Sequence, residues 1–312
     1  MDEDRSMAND TNVDASPEQS PVTHRQLLHA IDRHGLALHY QPLIDLGSGL
    51  IRGFEALVRL SHPDIGFIAA AEFIPLAEDV GLIRAIDDWV VLTACDQLAA
   101  WQRAGTVGDH FDLAVNVSGS ELDDGTLGKR FERALAISGA DPASLIVEIT
   151  ESQWCGQKAS ARSMAMLNDL GVRVALDDFG AGHATFSRLR SLNFDFLKID
   201  QSITSLITHS VGQGFVRMVV EECNGHGVSV IAEGIETAEQ ASAAAKLNCQ
   251  LGQGFFWSPA LSSAEAQWLL LSTTPPTSCA AKHARVSTPA TTTPRTKTKA
   301  PISVAAKSER GH

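Results

Sequence analysis

The sequence has 312 residues, 44% of them apolar and 20% charged, which suits one large domain or two small ones and excludes a wholly disordered chain or a disulfide-stapled miniature. Its formal net charge of −12 argues against a core that coats nucleic acid. No apolar run approaches the roughly 18 residues that would insert into a membrane, and the N-terminus, MDEDRSMAND, is acidic where a secretory leader starts basic, so a cytoplasmic location is expected.

Residues 1–22 carry six acidic residues, one basic residue and no apolar period, and read as a disordered N-terminal segment. Short runs rich in Val, Ile, Leu and Phe follow at residues 36–46, 50–60, 111–118, 145–150, 172–177, 194–200, 228–233 and 250–257, as buried strands require. Helical periodicity fills most of the gaps, at residues 71–77, 87–104, 127–136, 159–170, 202–224 and 238–247. Residues 273–312 are rich in Thr, Pro, Ala and Lys, with seven basic residues against one acidic, and read as a solvated, disordered basic tail whose partner the sequence does not name. The foldable unit is therefore residues 23–272. The cysteines Cys95, Cys155, Cys223, Cys249 and Cys279 are scattered without a CxxC spacing and read as small core residues.

Eight strands alternating with helices over about 250 residues predict an α/β fold of the (β/α)8 TIM type. One connection departs from it. Only Gly47-Ser48-Gly49 joins the first two strands, too short for a parallel crossover, so the first strand should run antiparallel in a modified barrel.

In such barrels chemistry sits at the C-terminal ends of the strands. Every strand after the first carries polar residues there: Glu55 and Arg59, Asn116, Glu148 with Glu151 just beyond, Asp177-Asp178, Lys198 and Asp200, Glu233, and Gln253. A lone strand-end glutamate reads as a cap or a loop carboxylate; seven consecutive strands so furnished read as a site. Glu55, Glu148, Asp177, Asp178 and Glu233 converging on Lys198 and Arg59 need cations to offset their charge. Oxygen donors without His or Cys select Mg²⁺ or Mn²⁺ over zinc. Phosphate-loop, nucleophile-elbow and HExxH patterns do not occur.

At these residues the sequence resembles the EAL-domain family of bacterial cyclic di-GMP phosphodiesterases, over about residues 22–272. The motifs are Tyr40-Gln41-Pro42, Glu55-Ala56-Leu57-Val58-Arg59, Phe73-Ile74-Pro75-Leu76-Ala77-Glu78, Asn116-Val117-Ser118, Glu148-Ile149-Thr150-Glu151, Asp177-Asp178-Phe179-Gly180, Lys198-Ile199-Asp200, Glu233-Gly234-Ile235-Glu236-Thr237 and Gln253-Gly254. The resemblance implies a barrel with an antiparallel first strand and hydrolysis of cyclic di-GMP to linear pGpG with two Mg²⁺ or Mn²⁺ ions. It implies metal ligation by Glu55, Asn116, Glu148 and Asp177, with Asp178 toward a second ion, and Glu233 as either second-metal ligand or water-activating base. Lys198 would lie beside the attacking water, Gln41, Arg59 and Gln253 would hold substrate, and Glu151 would anchor the loop after Asp178. Cyclic di-GMP is the implied partner, and a homodimer is compatible with the family.

The chain departs from the family pattern at Ala181-Gly182-His183-Ala184-Thr185, at Ile203 and at Ser258-Pro259-Ala260; none of these is a metal ligand. Two other readings stand beside the phosphodiesterase: a catalytically weak module that binds cyclic di-GMP or a protein, and an unrelated Mg²⁺-dependent barrel enzyme, such as an enolase-like one.

Overall fold

The computed structural model describes residues 22–32, 35–119, 122, 126–150, 158–181 and 194–273. The N-terminal segment up to residue 21, Glu151, Cys155, the loop residues 182–185 and the tail beyond Thr273 lie outside the described residues.

Strand β1 (Leu36–Asp45) and strand β2 (Ile51–His62) form an antiparallel hairpin, in register from Leu36↔Leu60 to Leu43↔Gly53, with a one-residue shift before Ile44↔Ile51. Its turn is held by Asp45, whose Oδ1 accepts from the Ser48 backbone N–H at 2.7 Å and from its hydroxyl at 2.8 Å. A short strand β3 (Gly66–Ala69), absent from the sequence reading, folds back antiparallel on β2 outside the barrel. The remaining strands are β4 (Asp112–Asn116), β5 (Leu145–Thr150), β6 (Arg173–Phe179), β7 (Phe196–Ile199), β8 (Ser229–Ala232) and β9 (Leu251–Gly252). From β2 through β4 to β9 each pairs in parallel with the next. β1 closes the ring, antiparallel to both β2 and β9. The result is the expected eight-stranded barrel with one reversed strand.

The helices are α1 (His24–Asp32), α2 (Ala70–Asp79), α3 (Ile83–Arg103), α4 (Leu127–Ser138), α5 (Lys158–Leu170), α6 (Gln201–Thr204), α7 (Ser210–His226), α8 (Ala238–Lys246) and α9 (Ser263–Thr273). Helix α3 shows why they stay on the barrel. Ile83, Ile86, Val90, Ala94, Leu98 and Trp101 recur every three or four residues and are all buried, the spacing of one helical face. Trp101 meets Tyr40, Phe54 and Phe111, with ring centroids 5.0, 5.6 and 6.0 Å away. None of the described helices is long and apolar enough to cross a membrane.

Inside the barrel the side chains form layers, because successive residues of a strand alternate faces. Leu43, Ala114, Ile146, Ala175, Phe196, Ile231 and Leu251 form a buried apolar cluster of their own, separate from the core under the helices. Below it Asp112 pairs with Arg52 at 3.0 Å and with Arg173. Gly53 allows this packing: a Cβ there would lie 2.1 Å from the Asp112 carbonyl oxygen. Two residues along each strand from the apolar layer, toward the other rim, lies the polar set predicted from the sequence.

Candidate active site

Gln41, Glu55, Asn116, Glu148, Asp177, Lys198, Glu233 and Gln253 come one from each barrel strand or its immediate extension. Lys198 is at their centre and only 1% exposed. Its Nζ lies 2.8 Å from Glu233, 3.0 Å from Glu148, 3.2 Å from Asp177 and 3.5 Å from Glu55. Asn116 Nδ2 donates to Glu55 Oε1 at 2.7 Å and to Glu148 Oε2 at 3.1 Å. Gln253 Nε2 donates to Glu55 Oε2 at 2.6 Å and to Gln41 Oε1 at 3.0 Å. One ammonium therefore serves four carboxylates.

The imbalance shows in their protonation. Burial, then the neighbouring Glu55 charge, hold the Glu148 carboxyl well above the usual range despite Lys198. Burial likewise pushes Glu233 up to about 8, with Lys198 opposing and Asp177 and Glu55 adding. Burial also works to raise Glu55, but Lys198 and the hydrogen bonds from Gln253 and Asn116 outweigh it, so Glu55 falls below its ordinary value. Lys198 is held well above its ordinary value: burial disfavours its charge, and the four carboxylates, Glu148 foremost, more than offset this.

Asp178 reaches the same rim by a different device. The β6–β7 register shifts between Leu176 and Phe179, and Asp178 has φ 57°. This left-handed bulge lets two consecutive residues serve one site, a conformation that costs a non-glycine residue about 1–3 kcal/mol. The backbone N–H of Asp178 donates to Asp177 Oδ1 at 2.8 Å. Burial, then Asp177, raise the Asp178 carboxyl. Oxygens of Asp177, Asp178 and Glu233 lie within 4.8 Å of one another.

These residues fit a hard divalent cation. Every donor is oxygen once Asn116 offers its Oδ1 rather than its Nδ2. The carboxylates outnumber the one lysine, and the buried Glu148 Oε1, though 3.0 Å from Lys198 Nζ, has no well-directed hydrogen bond.

A cavity of about 340 Å³ opens above the layer, lined by Gln41, Glu55, Asp178, Glu233, Gln253 and Phe255 among others. A second, of about 400 Å³, adjoins it at Glu55 and Asp178 and is walled by Leu57, Ile74, Ile86 and Val90. Gly254 positions the Gln253 side of the mouth: a Cβ there would fall 2.0 Å from the Ile235 carbonyl oxygen. Arg59 is not brought into this ring. It stands beyond Leu57 on β2, half-buried, donating to its own strand's Val58 carbonyl at 3.0 Å, and it senses Glu55 through its charge. Asp200 proves to be a helix cap, accepting from the Ser202 N–H at 2.9 Å. The sequence reading missed Phe255, an aromatic 70% exposed on the cavity wall; its one sequence signal was its place directly after Gln253-Gly254.

The family model described as EAL domain matches residues 24–260. An uncharacterized signaling protein of Caulobacter vibrioides is 38% identical over 233 residues, covering 74% of this chain and 28% of its own. The cyclic di-GMP phosphodiesterase PA2567 of Pseudomonas aeruginosa is 36% identical over 238 residues, covering 75% of this chain and 40% of its own. The chain thus spans well under half the length of these curated relatives. The solved structure of the PaMucR phosphodiesterase in complex with c-di-GMP superposes with a TM-score of 0.72 at 33% identity, covering 78% of this chain and 98% of that one.

Proposed function

This chain belongs to the EAL domain family, and on that premise we propose that residues 23–272 form a metal-dependent phosphodiesterase that hydrolyses cyclic di-GMP to linear pGpG. The observation that carries the reading is the ring of carboxylates around the buried Lys198 at one rim of the barrel. The likeness to the cyclic di-GMP phosphodiesterase PA2567 and to the PaMucR phosphodiesterase in complex with c-di-GMP supports the substrate.

Glu55, Asn116, Glu148 and Asp177 are the proposed ligands of one Mg²⁺ or Mn²⁺ ion, and Asp178 with Asp177 and Glu233 of a second. Bound there, divalent ions supply Lewis-acid polarisation of the phosphodiester and lower the pKa of water. The protein's own groups do the rest. Lys198 offsets negative charge developing on the phosphoryl oxygens, in a buried site where a fixed cation acts strongly. Glu233, 2.8 Å from Lys198 Nζ, serves either as that second-metal ligand or as the base that takes a proton from the attacking water. Gln41 and Gln253, already joined at 3.0 Å, orient the substrate, and Arg59 meets a phosphate from beyond Leu57. Phe255 offers an open ring face on which a guanine base stacks. Glu151 is proposed to anchor the loop that follows Asp178.

The test is to incubate the full chain with cyclic di-GMP and Mg²⁺ or Mn²⁺ and follow the products chromatographically. The expected result is pGpG, abolished by excess EDTA. Tight nucleotide binding with no turnover in either metal would replace this reading with that of a binding module. Turnover undiminished in EDTA would overturn the metal assignment.

A further inference from the structure

Away from the mouth, the outer faces of α3 and α4 enclose a groove of about 620 Å³. Its floor is apolar and in part uncovered: Leu92 is 37% exposed and Ile137 59%, with Trp89 beside them. Its rim is cationic. Lys129 and Arg133 stand one turn apart on α4, and both line the groove and are exposed. Among the described residues no carboxylate pairs with either. The acid of the lining, Asp88, is engaged by Arg130, and Arg84 has an interaction of its own, so the argument rests on Lys129 and Arg133. A basic, apolar groove on a chain of net charge −12 calls for an occupant that is acidic and carries some apolar side chains.

The chain contains one such segment. Residues 1–21 hold Asp2, Glu3, Asp4, Asp10, Asp14 and Glu18 against the single Arg5, with Met1, Met7 and Val13 interspersed. The other end of the chain has the wrong sign, since residues 273–312 carry seven basic residues and one acidic. Geometry also permits it. The described chain starts at Val22, a buried residue that anchors the segment. It then runs into α1, whose Ile31 lines the groove. From His24 to Ile31 along α1 is about 11 Å, whereas 21 extended residues reach about 70 Å.

We propose that the groove between α3 and α4 is the docking site of this chain's own acidic N-terminal segment, residues 1–21. The contact combines an apolar floor for Met7 or Val13 with ion pairing of the flanking carboxylates to Lys129 and Arg133. Such pairing is screened by salt, because the Debye length falls from about 10 Å at 0.1 M to about 3 Å at 1 M.

Zero-length carbodiimide coupling tests it, because the reagent joins a lysine only to a carboxylate already in contact. The full-length protein is treated at low ionic strength as a mixture of ¹⁴N- and ¹⁵N-labelled chains, and Lys129 peptides are identified by mass spectrometry. The expected product joins Lys129 to a carboxylate within residues 1–21 of the same isotopic chain. Its yield should fall at least about fivefold in 1 M NaCl, and by a similar factor in Arg133→Glu, which keeps Lys129 as reporter. Circular dichroism shows whether that exposed substitution leaves the fold intact. Three outcomes would overturn the proposal: Lys129 joined only to nearby groups such as Glu132, joined to a chain of the other isotope, or joined with a yield indifferent to both salt and Arg133→Glu.

Discussion

Replacing Asp87 by asparagine should stabilise this protein near neutral pH. Asp87 lies on the inner face of α3, 5% exposed, with Ser118 as its hydrogen-bond partner and its Oδ2 unpartnered. Burial pushes its carboxyl from 3.8 to about 6, and the Ser118 hydrogen bonds and Arg130 only partly oppose this. The folded state therefore keeps a proton that the unfolded chain loses near 3.8. Stability should fall as pH rises from about 4 to about 6, and the full penalty should persist above that. Two pH decades at about 1.4 kcal/mol each give about 3 kcal/mol. Asparagine carries no proton to lose, but a neutral amide bonds Ser118 less strongly, by about 1 kcal/mol. The net expectation for Asp87→Asn is a gain of about 1–2 kcal/mol at pH 7.5, vanishing or reversing at pH 4. Urea unfolding at the two pH values measures it. A loss of equal size at both would mean that Asp87 is charged and well satisfied in the fold, and the reasoning from burial would fail.

Glu55→Ala should lower kcat/KM by about 1000-fold or more while circular dichroism stays unchanged, with the stabilisation conferred by saturating Mg²⁺ reduced alongside. Lys198→Met should cost about 3–5 kcal/mol of stability in EDTA, because the carboxylates lose their ammonium; Mg²⁺ should restore more of the melting temperature than it adds to the parent, while turnover stays low. Phe255→Ala should raise KM about tenfold or more with little change in kcat, the signature of a lost stacking face; an unchanged KM would remove Phe255 from the site. Ca²⁺ should permit nucleotide binding but not support the turnover seen with Mg²⁺ or Mn²⁺, because its bonds are about 2.3–2.6 Å against about 2.0–2.1 Å for Mg²⁺ and its geometry is looser. Parallel titration and product assays in each metal check this.

Much of the barrel was legible because a strand's alternation is written directly in the residues. An apolar side chain followed two positions later by a polar one, as in Ala114 and Asn116 or Phe196 and Lys198, places one in the inner apolar layer and the other in the site. Hairpin length alone gave the direction of β1. The misses have physical causes. Residues 202–224 read as one helix, but the structure has α6 and α7. The buried Ile207 keeps an apolar side chain inward through the intervening turn, so periodicity does not register the break. Strand β3 has no counterpart in the sequence analysis, because it is four residues long and paired on one side only. The final strand was expected over residues 250–257 and spans only Leu251–Gly252: Gln253 still donates its N–H to Ala232 at the end of β8, but its carbonyl accepts from Ile235, past that strand, and Phe256 donates to the Ile235 carbonyl. Asp178's φ of 57° has no sequence signal, since an Asp-Asp pair reads equally well as regular strand.

The reversal of β1 also decides where the chain comes in. In an all-parallel barrel the chain joins the first strand at the end remote from the strand C termini. Here Leu36 lies beside Leu60, near the C-terminal end of β2, so the chain arrives at the rim that carries the carboxylates. Gln41 is five residues farther on, about 17 Å of strand, and is tied to Gln253 and through it to Glu55. β1 is held lengthwise by its pairing with β2 on one side and β9 on the other. A slip of one residue would bring Tyr40 or Pro42 to the place of Gln41, and neither has an amide to offer Gln253. The strand that closes the barrel thus has its point of entry and its Gln41 amide on the same side of the molecule as the carboxylates.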